Sequence, residues 1–401
     1  MKDIIKLFTI LILRFLLKLF YIFPVNKQEI LFSSFEGKQY SCNPKYLFKK
    51  IIEQFSDKYK YIWVINNRNS EDFKRLLEDI SEHNSSHSSK INVKTVRFFS
   101  IRHFYYYLTA KYIISNLNIE PVVPKRKNQI YLATWHASGA YKNMDFSSTL
   151  KPTAYKLNAR DFRAKKIDYY VAGCRAFKDV YIKTWNTDSE HFIESGLPRN
   201  DIFFLSKDEL KKKKQKILGR LNLSEDCSYI LFAPTYRGLN NHRHKSFDFQ
   251  LDVHSLIEVV QKRFNRPFKL LKKYHVDTKS KDEIKGDDVI DVSWYSDMQE
   301  LLILADILIT DYSSSIWDFA LLKKPCFLYT PDLSDYLHER GFYTKIEDWP
   351  FDYASSNRQL QDLILNYDSS LSDEKIKRHF NLLGSYDAGN AAQSIIRKIG
   401  L

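Results

Sequence analysis

The sequence predicts an α/β protein of two lobes, each on a largely parallel sheet, with an amphipathic helix ahead of the first. Three observations predict it. Short apolar runs alternate with helical stretches along most of the chain, as in parallel sheets with crossover helices. A lysine-rich stretch at 206–226 interrupts this pattern, which then restarts. The 401 residues also exceed what one ordinary core holds. The expected division is 1–25 for the amphipathic helix, 26–205 for the first lobe and 206–401 for the second.

The amino terminus, "MKDIIKLFTILILRFLLKLFYIFPV", is apolar, but Arg14 and Lys18 break it well below the length that spans a bilayer. No small-residue cleavage site follows, which argues against a secretory signal peptide. At 100° per residue, Lys2, Asp3, Lys6, Arg14 and Lys18 share one side of a helix. Ile4, Ile5, Phe8, Leu11, Ile12, Phe15, Leu16 and Leu19 occupy the other. Such a helix lies in the interface of an anionic membrane, and the competing reading is a helix packed on the body of the protein. Pro24 ends it.

The first lobe then reads as strands at 29–35, 59–65, 111–116, 129–136 and 166–173, with helices at 44–55 and 70–80. The polar stretch 81–90 reads as a loop in which His83 and His87 are solvated. In 206–226, the Lys211–Lys214 run is a solvated helix face or a second membrane-attracted patch. The second lobe reads as strands at 228–234, 267–274, 288–292, 306–310 and 325–329, with helices at 253–264, 297–305, 315–323 and 389–399. Together they make a two-lobed enzyme with a cleft between the lobes.

Composition narrows the chemistry. The chain is 44% hydrophobic and 27% charged, which excludes wholesale disorder. Its net charge of +14 suits a phosphate-rich substrate, nucleic acid or an acidic membrane surface. No recognisable nucleic-acid motif accompanies that charge. Cys42, Cys174, Cys227 and Cys326 are scattered without a CxxC, so neither a zinc site nor a disulfide framework is indicated, and a reducing cytosol is expected.

Four clusters carry candidate chemistry. In "DILITDYSSSIWDFALLKKPCFLYTPD", an apolar strand runs into Thr310, Asp311, Tyr312 and three serines at the start of a helix. The helix N-terminus and the hydroxyls of Ser313, Ser314 and Ser315 form a phosphate-binding arrangement without P-loop glycines. A plain serine cap is the simpler alternative. "TWHASGAYK" places His136 at another strand end, followed by small residues that admit close approach. "KKYHVD" places His275 at a strand end in the second lobe. Two strand-end histidines, one per lobe, fit a general base facing a phosphate-polarising group. "GLPRND" and "APTYRG" set Arg199 and Arg237 in proline-stiffened turns suited to bidentate phosphate contact, or to holding a loop.

With "SSFEGKQYSCNP", "TWHASGAYK", "GLPRND", "LFAPTYR", "KKYH", "ADILITDYSSSIWDFALLKKPCFLY" and "RGFY" in this order, the sequence resembles the CDP-glycerol glycerophosphotransferase family of teichoic acid and capsule synthesis, over residues 29–345. The resemblance implies a GT-B type fold of two Rossmann-like lobes, the first binding acceptor and the second binding CDP-polyol. It implies that His136 is the base, with His275 as its catalytic partner. It places Arg237, Lys273, Thr310, Asp311, Ser313, Ser314 and Asp318 on the CDP-polyol, and Ser138, Gly139, Lys142 and Arg199 on acceptor or phosphate. Three departures stand out. His136-Ala137-Ser138-Gly139-Ala140-Tyr141-Lys142 replaces the polymerases' His-Gly-Thr-Pro-Leu-Lys and looks more like the branch that primes a lipid-linked disaccharide, though some capsule enzymes share it. Lys273-Tyr274-His275 replaces Arg-x-His, and Cys42 stands where Asp is usual.

The implied reaction transfers glycerol phosphate from CDP-glycerol to a polyprenyl-diphosphate-linked saccharide and releases CMP, on the cytoplasmic face of the membrane. Poly(glycerol phosphate) or ribitol phosphate transfer is the nearest variant. The rivals are a nucleotide-sugar glycosyltransferase on the same fold and a non-catalytic basic membrane adaptor. No cofactor is required by the sequence. Mg²⁺ stays open, with no carboxylate cage for it in the sequence.

Overall fold

The computed structural model describes residues 2–137, 139, 142–143, 153–235, 250–274 and 284–401. The chain forms two compact units. The first comprises residues 1–138, 144–201 and 385–401, and the second 139–143 and 202–384.

Unit 1 carries a seven-stranded sheet. Its strands are β1 (Asn26–Ser33), β2 (Lys60–Val64), β3 (Val93–Val96), β4 (Ala110–Ser115), β5 (Ile130–Ala133), β6 (Tyr169–Ala172) and β7 (Phe192–Glu194). They lie in the order β3-β2-β1-β4-β5-β6-β7, and every pairing is parallel. Unit 2 carries β8 (Ser228–Phe232), β9 (Phe268–Lys272), β10 (Val289–Asp291), β11 (Ile307–Thr310), β12 (Cys326–Tyr329) and β13 (Tyr353–Ala354). Their order is β10-β9-β8-β11-β12-β13, again all parallel. Helices cover both faces of such sheets, so central strands are buried on both sides. β8, β11 and β12 are buried at every position. That is why these strands read as unbroken apolar runs. In each sheet the order reverses once, between β1 and β4 and between β8 and β11. Ligands of open parallel sheets sit outside the carboxyl ends at such reversals.

The division differs from the sequence expectation at its end. Residues 385–401 belong to unit 1, not to the second lobe. Helix Ala391–Ile399 buries Ala392, Ile395, Ile396 and Ile399 in the core with Leu47, Phe48 and Ile51. Asp201 caps that helix, its carboxylate accepting from the N–H groups of Ala391 at 2.9 Å and Ala392 at 2.8 Å. Nearby, Gly196 adopts φ +79, and a Cβ there would lie 2.7 Å from Asp387. Only glycine fits this turn, whose Leu197 N–H donates to Asp387 Oδ1 at 2.8 Å. Periodicity locates a helix at 389–399 but does not say which core receives it.

The polar stretch at 81–90 is also corrected. Helix Glu71–Ser86 runs through its first half, where the Ser85 and Ser86 hydroxyls donate to the carbonyls four residues back. His83 is buried, 3.1 Å from Ser56 Oγ and stacked on the exposed His87.

The amino-terminal segment is helical over Lys2–Leu17, followed by a 3-10 turn over Lys18–Ile22. It docks on unit 1 through the side that carries Arg14 and the buried Leu17. Arg14 Nε donates to the Pro121 carbonyl at 2.6 Å, and the guanidinium covers the Phe162 ring at 3.9 Å. Arg126 Nη1 donates to the Phe23 carbonyl at 2.6 Å. The apolar side is left outward, with Phe8, Leu11, Phe15 and Leu19 all exposed and Phe15 at 70%. No helix among the described residues is long and apolar enough to cross a membrane.

Each unit buries a histidine whose pKa burial pushes down to about 4: His103 in unit 1 and His379 in unit 2. In the unfolded chain a histidine titrates near 6.5. As pH falls, the unfolded state takes up these protons first. The stability they contribute is therefore complete above about pH 6.5 and is lost between there and about pH 4. At pH 5 each histidine accounts for roughly 2 kcal/mol of loss relative to pH 7. Urea unfolding at pH 7 and pH 5 should show this loss, and His379→Gln should remove its share.

Candidate active site

The carboxyl end of β5 leads through Thr134 and Trp135 to His136. Thr134 is fully buried and its N–H donates to the Ser115 carbonyl at 2.7 Å, extending the ladder with β4 by one bond. Trp135 then takes φ +54, a left-handed conformation uncommon outside glycine. Side chains from elsewhere in unit 1 hold this bend. Asn43 Nδ2 donates to the carbonyls of Thr134 at 3.1 Å and Trp135 at 2.9 Å. Asn43 Oδ1 accepts from the Arg199 N–H at 3.1 Å. Arg199 Nη1 donates to the His136 carbonyl at 2.8 Å and lies 3.4 Å from Cys42 Sγ.

The His136 ring is half-buried, with its centroid 5.5 Å from that of Phe35. Its Nδ1 lies 3.4 Å from the Asn116 carbonyl oxygen. A carbonyl only accepts, so this contact places the proton on Nδ1 and makes Nε2 the basic nitrogen. Asn116 is itself fixed, accepting the Phe35 N–H on Oδ1 at 2.8 Å. Beside these residues, at the reversal between β1 and β4, lies a small crevice lined in part by Ser33, Glu36, Ser115, Asn118 and Glu120. Burial pushes the Glu120 carboxyl up, Arg163 opposes this, and the Glu36 carboxylate adds to it.

In unit 2, β11 ends at Thr310, and both Thr310 and Asp311 are fully buried. Thr310 Oγ1 donates to the Ala233 carbonyl at 2.6 Å, and Asp311 Oδ1 accepts from the Thr235 N–H at 2.9 Å. They hold the turn after β8 across the sheet reversal. Asp318, 2% exposed, accepts from Gln299 Nε2 at 3.0 Å. All three are buried; Thr310 and Asp311 hold the turn after β8, and Asp318 is held by Gln299. Ser313 and Ser314 are half-buried at the strand end. Ser313 Oγ accepts from the Ser315 N–H at 3.3 Å, while the Ser314 side chain makes no cap bond to the helix. The helix spans Ser315–Ala320, short of the expected residue 323, because Lys323 turns to φ +52. Lys273 Nζ donates to the Ser293 carbonyl at 2.8 Å.

The "TWHASGAYK" stretch divides between the units. Gly139 and Lys142, expected in the first lobe, belong to unit 2. There Lys142 Nζ lies 3.5 Å from Thr235 Oγ1 and its backbone bridges to Phe342, while the Asn143 N–H donates to the Gly341 carbonyl at 3.2 Å. Arg199, expected on acceptor or phosphate, is 6% exposed, and its Nη1 donates to the His136 carbonyl. Ser138, Arg237 and His275 lie outside the described residues. Sequence reasoning missed Asn43, although it stands in the "SSFEGKQYSCNP" stretch, and an asparagine before proline reads locally as a turn.

A family model for CDP-Glycerol:Poly(glycerophosphate) glycerophosphotransferase matches residues 15–401. The chain belongs to that glycerophosphotransferase family. It is 30% identical over 385 residues to a teichoic acid poly(glycerol phosphate) polymerase of Bacillus spizizenii, covering 94% of this chain and 93% of that protein. It is 29% identical over 382 residues to a teichoic acid glycerol-phosphate transferase of Staphylococcus aureus, covering 93% of each. The polymerase of Bacillus subtilis is longer, and the match covers 42% of it at 31% identity and 81% of this chain. Among solved structures, the wall teichoic acid polymerase TagF soaked with CDPG aligns with a TM-score of 0.77 at 26% identity, covering 94% of this chain and 89% of that one. A UDP-GlcNAc 2-epimerase of Neisseria meningitidis shares the fold alone, with a TM-score of 0.51 at 12% identity over 92% of this chain and 99% of that one. This glycerophosphotransferase is thus an enzyme of the teichoic acid glycerol- and ribitol-phosphate transferase and polymerase group.

If Asn43 and Arg199 aim His136, loosening either should slow turnover without touching donor affinity. Asn43→Ala and Arg199→Ala should each lower kcat by ~10²-fold, the scale of a misplaced catalytic group. Calorimetric titration with CDP-glycerol should give an unchanged Kd. Arg199→Lys, which keeps charge but loses the planar fork, should fall between.

Proposed function

We propose that this enzyme transfers glycerol phosphate from CDP-glycerol to a polyprenyl-diphosphate-linked saccharide at a membrane surface, releasing CMP. The observation that carries the reading is the Nδ1 contact of His136 with the Asn116 carbonyl, which makes Nε2 a base. An acceptor hydroxyl attacks the polyol-bearing phosphorus of the donor. As its oxygen bonds to phosphorus, its proton passes to His136 Nε2, and the bond from phosphorus to the CMP oxygen breaks. We assign donor binding to unit 2, where the half-buried hydroxyls of Ser313 and Ser314 lie beyond β11. Charge gathering on the departing phosphate would be met by Lys142, with Arg237 and His275 as further candidates. The relatives that act on CDP-glycerol by family description support the choice of donor.

The Ala137-Ser138-Gly139 variant after His136 favours addition of a single unit, primase-like. A second reading, repeated addition, is favoured by relatives that carry polymerase names. Mass spectrometry of products from defined lipid-linked acceptors, with CDP-glycerol and CDP-ribitol in turn, separates these. One added glycerol phosphate supports the first reading and a ladder supports the second. Absence of CMP release with either donor would sink both. His136→Ala should reduce transfer by ~10²–10⁴-fold with donor affinity kept. Turnover near wild type at saturating substrate would remove His136 from the mechanism.

The outward apolar face of the amino-terminal helix supports a peripheral seat on an anionic, cytoplasm-facing membrane. Deleting residues 1–24 should weaken binding to anionic vesicles while preserving most activity on a water-soluble acceptor analogue. Each basic residue near such a surface contributes about 1 kcal/mol, so binding of the intact chain should also weaken as salt rises. Vesicle affinity unchanged by the deletion would place the anchor elsewhere.

A further inference from the structure

The turn between β3 and helix Ile101–Thr109 shows apolar side chains to solvent in a fixed backbone. Phe99 is 46% exposed and Ile101 78% exposed. Phe99 sits at φ +58, a left-handed conformation that a large side chain rarely takes. Three bonds hold it there. The Phe98 N–H donates to Asn66 Oδ1 at 3.0 Å, the Phe99 N–H to His103 Nδ1 at 3.4 Å, and the His103 N–H to Ser100 Oγ at 3.1 Å. His103 can accept because burial keeps its ring neutral. The Phe99 ring packs on those of Phe98 and Phe104, with centroids 4.6 Å and 5.4 Å away, and its remaining surface stays open to solvent in this held backbone.

This surface continues the apolar face of the amino-terminal segment. Ile101 and Tyr105 lie one helical turn apart on the same face, and the Tyr105 ring meets the Phe23 ring edge-on at 5.3 Å. Beyond Phe23 come Ile22, 81% exposed, and Leu19, 65% exposed. Around the turn, Lys94, Arg97 and Arg102 are exposed, and no Asp or Glu occurs between Glu82 and Glu120. Apolar and aromatic side chains interleaved with exposed cations, of which Lys94 also interacts with Glu29, match the interfacial layer of an anionic bilayer.

We infer that the Arg97–Arg102 turn is a second bilayer contact, in which Phe99 and Ile101 enter the interfacial layer while Lys94, Arg97 and Arg102 meet anionic lipid headgroups. It rests on the reading of the amino-terminal helix as membrane-seated and extends that seat to the body of unit 1. A single interfacial helix leaves the attached domain free to roll about it, whereas a second contact off its axis fixes which way the domain faces. Phe98, in the same turn, lines the crevice at the ends of β1 and β4. A bilayer contact here therefore keeps that crevice near the lipid surface, where a lipid-linked acceptor resides.

The test uses the full chain and vesicles of phosphatidylcholine with or without phosphatidylglycerol. Phe99→Ser with Ile101→Ser should weaken co-sedimentation with anionic vesicles ~10-fold or more, although the amino-terminal helix is intact. Arg97→Gln with Arg102→Gln should weaken it to a similar degree on anionic vesicles only. An environment-sensitive fluorophore on Ile101→Cys, in a Cys227→Ser background, should shift to the blue on anionic vesicles and be quenched by nitroxide-labelled lipid. Wild-type chain that binds vesicles while this label stays unshifted would overturn the inference and leave the amino-terminal seat standing. Wild-type chain that fails to bind would overturn both. Self-association without lipid, abolished by the Phe99 and Ile101 substitutions, would assign the surface to a second copy and overturn it as well.

Discussion

The carboxamide of Asn43 is the interaction on which the rest of unit 1's site depends. It donates to the carbonyls of Thr134 and Trp135 and accepts the N–H of Arg199, whose guanidinium then takes the carbonyl of His136. Consecutive carbonyls leaving β5 are thus satisfied by side chains rather than by a neighbouring strand. A buried carbonyl without a donor costs about 1–3 kcal/mol, so the left-handed bend at Trp135 persists only with these partners in place. The bend in turn sets the ring of His136 over the Asn116 carbonyl and fixes its tautomer.

That arrangement ties remote parts of the sequence together. Asn43 starts the helix after β1, and Arg199 follows the Gly196 turn after β7. The Gly196 turn is pinned by Asp387, and Asp201 caps the last helix of the chain. The carboxyl-terminal helix therefore reaches the catalytic candidate through a short series of hydrogen bonds, although nothing in it has chemistry of its own. Unit 2 uses the same device in smaller form. Thr310 and Asp311 bond across the sheet reversal to Ala233 and Thr235 and fix the turn that precedes Arg237.

Much of the fold was legible because parallel strands are buried on both faces. The stretches around Leu31, Trp63, Ile113, Leu231, Leu270, Leu308 and Phe327 are apolar enough to stand out by composition alone, and all form strands. The short edge strands β3, β7 and β13 were not legible, since Lys94, Glu194 and the two-residue β13 carry little apolar signal. At the site, strand-end position identified His136 and the serine run. It could not separate ligand contacts from residues that hold a turn. Thr310, Asp311 and Arg199 have the polarity expected of ligand groups, and their hydrogen bonds to Ala233, Thr235 and His136 are not visible in sequence.

The amino-terminal helix shows where such reading stops. Its two faces were legible, but amphipathicity does not say which face meets the protein. A helix on a soluble domain normally turns its apolar stripe to the core. Here Arg14 shares the inner side with Leu17, because the Pro121 carbonyl and the Phe162 ring offer a guanidinium both a hydrogen bond and a π-face. Burial lowers the pKa of Arg14, so this docking carries a desolvation cost that a leucine would avoid. The same docking leaves Phe8, Leu11, Phe15 and Leu19 exposed, an apolar surface of the kind that marks an interaction site. The two readings of the helix, packed on the body or seated on a membrane, are thus not rivals. Arg14 and Leu17 serve the first, and the exposed apolar side is what the proposed membrane seat would use.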